Sequence, residues 1–159
     1  MDYEQQEINF VKRTKKLLDQ YDEFISIKKC IKNDFKESYE TTLLINCCVG
    51  LLIIPNEKLF EKLPITKINL EDWDISEEMI EIEIIKTVRK TVTHLRNSIS
   101  HYRFISFAKS GEIIGFEFTD KDNKKDKYDN FKIKLPLKNL KEFLSKLSNT
   151  MLKIMEEEQ

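Results

Sequence analysis

Apolar residues recur along the chain with two periods. The longer period predicts helices in the first half of the chain. Separations of mostly three and four over residues 4–31 predict one long amphipathic helix, with a break near Asp22 as the alternative. A second helix is predicted from a cap at Asn33 or Asp34 to the residue before Pro55. Because its last two turns are apolar on all sides, we expect it to be the most buried helix.

Gly50 interrupts the second helix, where glycine costs about 1 kcal/mol relative to alanine, and this indicates a close approach of another helix. Residues 56–76 are expected to connect this helix to the next, with one short helical turn. A third long helix is predicted to start after Ser76, where acidic side chains suit the positive end of the helix dipole. Basic side chains follow further along it.

The period then shortens to two, which is typical of β-strands. Three runs alternate in this way and span residues 104–107, 113–118 and 131–135. The charged stretch 119–130 is predicted to be a mobile loop, and helical periodicity returns over residues 137–155. The pattern therefore predicts a mainly α domain with a small antiparallel hairpin or sheet between the third helix and the C-terminal helix.

Composition places the chain among ordinary globular proteins. Its 159 residues suit one domain, residues 1–159, and 40% hydrophobic with 35% charged residues argues against disorder. The charge is nearly balanced, with 27 Lys and Arg against 28 Asp and Glu. Such a balance excludes a protein that holds nucleic acid by bulk electrostatics, so any RNA must bind at a local, shaped site.

The three cysteines, Cys30, Cys47 and Cys48, do not form a disulfide framework, and we interpret them as reduced thiols. No Cys and His cluster has the spacing of a zinc site, so neither a metal nor a cofactor is expected. The polar, acidic first ten residues do not resemble a signal peptide, and the longest apolar run, residues 49–54, is too short to span a membrane. The cytoplasm is the expected location.

Both histidines of the chain fall on the predicted third helix, together with other polar groups that can do chemistry. At about 100° per residue, the apolar side chains there form one narrow stripe that we expect to face the core. A second stripe on the opposite side holds His94, Asn97 and His101, and Arg96 and Ser100 lie between the two stripes. An exposed helix face usually carries Glu and Lys, so this composition indicates a functional site.

These residue types suit the cleavage of a phosphodiester bond in RNA. An imidazole titrates near neutral pH and can move protons, and a guanidinium presents a fixed fork of donors to a phosphate. In such a reaction the 2′-hydroxyl attacks phosphorus, the histidine transfers protons and the arginine stabilises the anionic phosphorane. This chemistry requires no metal ion.

Helical geometry restricts how Arg96 and His101 can act together. They are five positions apart, which is roughly 140° around a helix and about 7–8 Å along it. One isolated helix therefore does not aim both side chains at the same phosphate. Either the helix distorts near His101, or two copies face each other and share a site, which predicts a symmetric homodimer.

Arg96 and Asn97, a spacer of three residues and then His101 resemble the signature of the HEPN superfamily (higher eukaryotes and prokaryotes nucleotide-binding). Further stretches are similar to a prokaryotic HEPN-nuclease-like subfamily. They are residues 42–46, residues 50–52, Pro55 and the hairpin GEIIGFEF after the motif helix. Together these features cover most of the chain.

The resemblance implies a helical bundle that dimerises with the two motifs meeting across the interface. It also implies a metal-independent endoribonuclease that leaves cyclic phosphate and 5′-hydroxyl ends. In that activity Arg96 would hold the phosphate, His101 would be the general acid and base, and Asn97 would orient the site. Such domains often serve as toxins or anti-phage defence effectors, so RNA is the expected substrate and an antitoxin is a candidate partner.

Each of these assignments has a simpler alternative. Arg96 and His101 could have no role beyond complementing the dipole at a helix C-terminus. The whole chain could be a non-catalytic HEPN-like module that binds nucleotide or protein and dimerises. His94 could be a surface or interface residue. Ser100 and Asn46 are candidate supporting residues, and for Asn46 the alternative is a satisfied amide in the core.

Overall fold

The structure is a computed structural model and describes residues 3–31, 40–82, 86–121 and 128–157. Helix α1, Tyr3–Ile31, is continuous through Asp22, so the unbroken form of the first predicted helix is correct. Its inner face contributes Ile8, Val11 and Leu18 to the core. No helix among the described residues is long and apolar enough to cross a membrane.

The second predicted helix is present as α2, Glu40–Cys48, continued by one wide π-helical segment, Val49–Ile53. The proposed caps Asn33 and Asp34 lie outside the described residues. A Cβ on Gly50 would lie 2.6 Å from the Thr14 hydroxyl oxygen of α1, which confirms the predicted close approach. Burial on all sides is not found, because Val49 is 38% exposed and Ile54 is 39% exposed.

Two short helices follow, α3 (Glu57–Glu61) and α4 (Leu70–Trp73), where one turn was predicted. The side chain of Asn56 accepts a hydrogen bond from the Lys58 N–H and caps α3, and Asn69 caps α4 in the same way. Trp73 of α4 is buried and packs against Phe143, with 6.1 Å between ring centroids.

The predicted start of the third helix after Ser76 is wrong. Residues Glu77–Met79 form a single 3₁₀ turn, and Ile80–Ile82 form strand β1, in which Ile80 pairs with Ile133. The pattern S-E-E-M looks like a helix start, but the isoleucines that follow alternate and add a strand to the sheet. Helix α5, Val88–Ser100, begins instead after Thr87, whose hydroxyl accepts a hydrogen bond from the Lys90 N–H.

The three predicted strands are confirmed as β2 (Phe104–Lys109), β3 (Glu112–Asp120) and β4 (Phe131–Pro136). With β1 they form an antiparallel sheet in the order β1-β4-β3-β2. The hairpin turn has positive φ at both Ser110 and Gly111, as a two-residue turn of type I′ requires. Of the predicted loop 119–130, the first two residues extend β3, and residues 122–127 lie outside the described part.

Helix α6, Leu137–Glu156, packs against α1 and α2 on one side and reaches the sheet through β3 and β4. Helix α5 lies on β3, so it is enclosed between the sheet and the helices around it. The outer face of the sheet carries a ladder of ion pairs, in which Lys132 lies 3.1 Å from Glu117 and Lys134 lies 2.9 Å from Glu81. The fold is therefore mainly α with a small antiparallel sheet.

We predict that Gly115→Ala lowers the free energy of unfolding by about 1–3 kcal/mol, because an added methyl group in a well-packed core forces its neighbours to move. A Cβ at this position in β3 would collide with the Phe107 ring and lie 2.5 Å from the Leu135 carbonyl oxygen, which belongs to the backbone of β4. Urea unfolding measures the change. The control Ser106→Ala, an exposed position on β2, should change it by less than about 0.5 kcal/mol. Equal stability of Gly115→Ala and the control would contradict this account of the sheet.

Candidate active site

The C-terminal end of α5 closes with a Schellman motif, which places the residues after the helix in one defined path. The Tyr102 N–H donates to the Ile99 carbonyl at 3.2 Å, and the Arg103 N–H donates to the Ser98 carbonyl at 2.7 Å. Tyr102 takes the left-handed conformation with φ of 56°, a position that usually holds glycine or asparagine. A tyrosine there costs roughly 1–2 kcal/mol, so the surrounding contacts must hold it in place.

Those contacts converge on the carboxylate of Asp120, the last residue of β3. His94 Nδ1 lies 2.9 Å from Asp120 Oδ2, and the Asn97 amide donates to the same oxygen at 2.9 Å. Arg103 donates to the other oxygen, Oδ1, at 3.1 Å. We call these four residues the Asp120 cluster. Because it joins two residues inside α5 to one residue after it, the cluster ties down both sides of the helix end.

Backbone and hydroxyl contacts reinforce this connection between α5 and β3. The Ser98 hydroxyl oxygen lies 2.7 Å from the His94 carbonyl oxygen and 2.8 Å from the Thr119 carbonyl oxygen. The Thr119 N–H donates to the Arg103 carbonyl at 2.9 Å, and residue 103 is therefore held on β3 before strand β2 begins. The His94 ring stacks on Phe131, with 4.6 Å between centroids and an interplanar angle of 12°.

Asp120 remains a carboxylate in this setting although its side chain is only 2% exposed. Burial alone would raise the pKa of the Asp120 carboxyl, but hydrogen bonds from His94, Asn97 and the backbone N–H of Lys121 together hold that pKa below its ordinary value. An ionised carboxylate only accepts hydrogen bonds, so Nδ1 of His94 carries a proton.

Arg96 points away from this cluster, toward α3. Its guanidinium carbon lies 5.0 Å from the centre of the Phe60 ring, and its Nη1 lies 3.9 Å from a carboxylate oxygen of Glu57. The Arg96 side chain is 29% exposed. A guanidinium stacked on an aromatic face keeps its edge donors available, which is a common arrangement for phosphate recognition.

His101 is the C-terminal cap of α5 and is exposed to solvent. Its backbone N–H donates to the Asn97 carbonyl at 3.0 Å, and this ties its position to the Asp120 cluster. Within the described part of the chain, no hydrogen bond or ion pair joins the side chains of Arg96 and His101. Among the described residues, the structure thus brings Asn97 and His94 together at Asp120 and does not pair Arg96 with His101.

The three supporting candidates differ in their exposure to solvent. The interpretation of His94 as a surface residue is wrong, because it is 6% exposed and paired with Asp120. Asn46 is exposed on α2 and is therefore not a core amide. Ser100 is exposed in the last turn of α5, next to His101.

Asp120 and Arg103 were missed as site residues in the sequence, although a signal for Asp120 was present. The alternation of Phe116 and Phe118 on the inner face of β3 continues to position 120, so an acidic residue there faces the interior. A buried acid needs donors, and the His and Asn of α5 were the available ones. For Arg103 no comparable pattern exists, since its role depends on the turn after the helix.

Cys47 and Cys48 contribute no nucleophile to the site. Cys47 and Cys48 are buried, and burial raises the pKa of the Cys47 thiol to about 11 and raises that of Cys48 as well. Both pack in the core as small apolar residues. Among residues 3–31, 40–82, 86–121 and 128–157, no group of three or more His, Cys, Asp and Glu side chains could hold a metal ion.

Comparison with known families gives one match over nearly the full length. A family model described as HEPN pEK499 p136 matches residues 1–158. No curated protein and no solved structure matches the chain.

We predict that Asp120→Asn lowers the free energy of unfolding at pH 7 by about 3 kcal/mol, the cost of removing one partner of a buried ion pair. It should also flatten the acid limb of the pH profile. Since the folded-state pKa of Asp120 lies below the unfolded value, its stabilisation is complete above about pH 4 and is lost as the pH falls through the folded-state pKa. Urea unfolding at a series of pH values measures both effects.

The matched control is Asp129→Asn, a half-buried aspartate shortly before β4. It should leave both the free energy of unfolding at pH 7 and the slope of the acid limb close to those of the wild type. If Asp120→Asn and the control gave the same pH profile, the Asp120 cluster would not be the interaction that holds the helix end.

Proposed function

The chain belongs to the HEPN pEK499 p136 family, and on that premise we propose that it is a metal-independent endoribonuclease. HEPN domains act as nucleases or as nucleotide-binding modules. The observation that carries the nuclease proposal is the exposed imidazole of His101, held at a helix end that Asp120 fixes from both sides. A general acid or base needs both access to substrate and a defined position.

In the proposed reaction the 2′-hydroxyl of RNA attacks the adjacent phosphorus. A bond forms between O2′ and phosphorus, and the bond between phosphorus and O5′ breaks. His101 accepts the proton from the 2′-hydroxyl and returns a proton to the leaving O5′, while Arg96 stabilises the charge on the non-bridging oxygens. The products are a 2′,3′-cyclic phosphate and a 5′-hydroxyl end.

We propose that two copies build each site, so that Arg96 of one copy and His101 of the other meet on one phosphate. The position of Arg96 supports this arrangement, because its guanidinium packs on Phe60 and pairs with Glu57, whereas His101 caps the helix and is exposed. The resulting dimer would be symmetric, with an isologous interface and two equivalent sites.

Asn97 enters this proposal as a positioning residue. Its amide donates to Asp120 and its carbonyl accepts from the His101 N–H, so it transmits the position of β3 to the catalytic imidazole. We propose the same indirect part for His94. We propose that Ser100 contacts substrate, and its exposure beside His101 supports this.

The second candidate function is a non-catalytic module that binds nucleotide or a partner protein. The ion pair of Arg96 with Glu57 and its stacking on Phe60 favour it, because both contacts would also suit a structural arginine. A role as a toxin or defence effector, with an antitoxin as partner, belongs to the nuclease proposal and would be excluded with it.

We predict that the purified protein cleaves unpaired RNA in the presence of EDTA and that His101→Ala reduces the rate by roughly 10²- to 10⁴-fold, the usual contribution of a general acid or base. Gel analysis of end-labelled RNA measures the rate and identifies the cyclic phosphate. The control Lys90→Ala, an exposed position on the same helix, should cleave like the wild type. Equal cleavage by His101→Ala would exclude His101 as the general acid and base. No cleavage by the wild type would exclude the nuclease function and favour the binding module.

Mixing two inactive variants tests whether the site is shared. If each site takes Arg96 from one copy and His101 from the other, Arg96→Ala and His101→Ala are each inactive alone. A one-to-one mixture should regain about a quarter of the wild-type rate, since half of the dimers are mixed and each mixed dimer has one intact site. A mixture that stays inactive after subunit exchange would place both residues of a site on the same protomer.

A further inference from the structure

A groove of about 310 Å³ opens directly beside the end of the motif helix. Its walls come from the start of β2, the outer positions of β3 and the residues on either side of the undescribed segment 122–127. Tyr102 and Arg103 line it immediately after His101 in the chain. A molecule in this groove would therefore lie beside the helix end that carries His101.

Tyr102 presents an aromatic ring to solvent at the edge of this groove. The residue is 88% exposed, although its left-handed backbone is the least favourable place for such a side chain. Its ring stacks on Phe104, with 5.8 Å between centroids and an interplanar angle of 28°, so it is held from one side. Strained residues that the surrounding structure holds in place cluster at ligand and active sites, so the exposed Tyr102 ring indicates a binding site.

The remaining lining suits a flat, uncharged ring with polar edges better than a phosphate. Arg103 and Lys121 bring positive charge and Glu117 and Asp129 bring negative charge, but Arg103 is already paired with Asp120 and Glu117 with Lys132, so the lining has little net charge. A lining with little net charge does not favour a phosphate group over a neutral ring. Ile105, which is 64% exposed, adds apolar surface. Aromatic and apolar walls with donors and acceptors between them are how proteins bind unpaired nucleobases.

We propose that this groove is a subsite for one unpaired nucleobase of the RNA, stacked on Tyr102 beside the scissile phosphate. The inference rests on the proposed function, in that it takes RNA as the ligand. It adds the requirement that the substrate be single-stranded there, because a base held in a helix cannot stack on the ring. It also explains how a nearly neutral chain binds RNA, since stacking does not depend on net charge.

The test measures binding without cleavage. The His101→Ala protein is titrated into a short, unpaired, fluorescently labelled RNA, and anisotropy gives the dissociation constant. Adding Tyr102→Asn should weaken binding by roughly 5- to 150-fold, the contribution of stacking one base, without changing the salt dependence. Asparagine tolerates the left-handed backbone, so the variant should fold at least as stably as its parent.

Two matched variants and two competitors complete the experiment. Tyr102→Phe keeps the ring and should bind like the parent, as should Phe10→Ala, which removes an aromatic residue 49% exposed on α1. Adenosine should compete with the labelled RNA, and inorganic phosphate at equal ionic strength should not. Unchanged affinity of Tyr102→Asn, or competition by phosphate alone, would overturn the base subsite.

The outcomes separate this inference from the nuclease proposal. RNA binding that depends on Tyr102, in a wild-type protein that does not cleave, would sustain the subsite and exclude the nuclease. Cleavage by the wild type, with binding that is indifferent to Tyr102, would exclude the subsite alone. Dissociation of the dimer by Tyr102→Asn, measured by light scattering, would make the tyrosine an interface residue and overturn the inference.

Discussion

The buried carboxylate of Asp120 is the constraint on which the rest of the candidate site depends. It is ionised at the inner end of β3, where a lone charge would be very unfavourable, and it is stable there because three donors from one helix end converge on it. Since those donors stand at positions 94, 97 and 103, satisfying one charge determines the path of the chain between them. His101 and Tyr102 lie on that path.

This connection explains how the helix end can tolerate an unfavourable residue. Tyr102 occupies the left-handed position of a Schellman motif, and a chain free of other restraints would place glycine or asparagine there. The hydrogen bonds of Arg103 to the Ser98 carbonyl and to Asp120 hold the following residue, so the turn cannot relax by moving it. The Asp120 cluster therefore offsets the strain at Tyr102. It also fixes the backbone position of His101 at the end of the helix.

More of helix α5 is buried than its pattern of residues predicted. Its apolar stripe packs into the core as predicted except at Tyr102, which was expected to face the core and is 88% exposed. His94 and Ser98 are buried as well, against β3 and Phe131. A polar side chain on a helix is usually exposed, and here it is buried because the sheet supplies acceptors for it. Arg96 contacts α3, and His101 is exposed to solvent.

Local pattern sufficed for much of this protein. The period of apolar residues predicted the long first helix, the C-terminal helix and three strands, because burial of one face imposes the same spacing on any helix or strand. The residue pattern also predicted the close approach at Gly50, and it indicated the segment with Arg96 and His101 as the candidate site. What it could not supply were contacts between residues distant in sequence. Strand β1 exists because β4 lies beside it, and Asp120 belongs to the site because the sheet brings it under α5, 26 positions after His94. Hydrogen bonds of that range depend on how the elements pack, and a spacing along the chain does not contain that information.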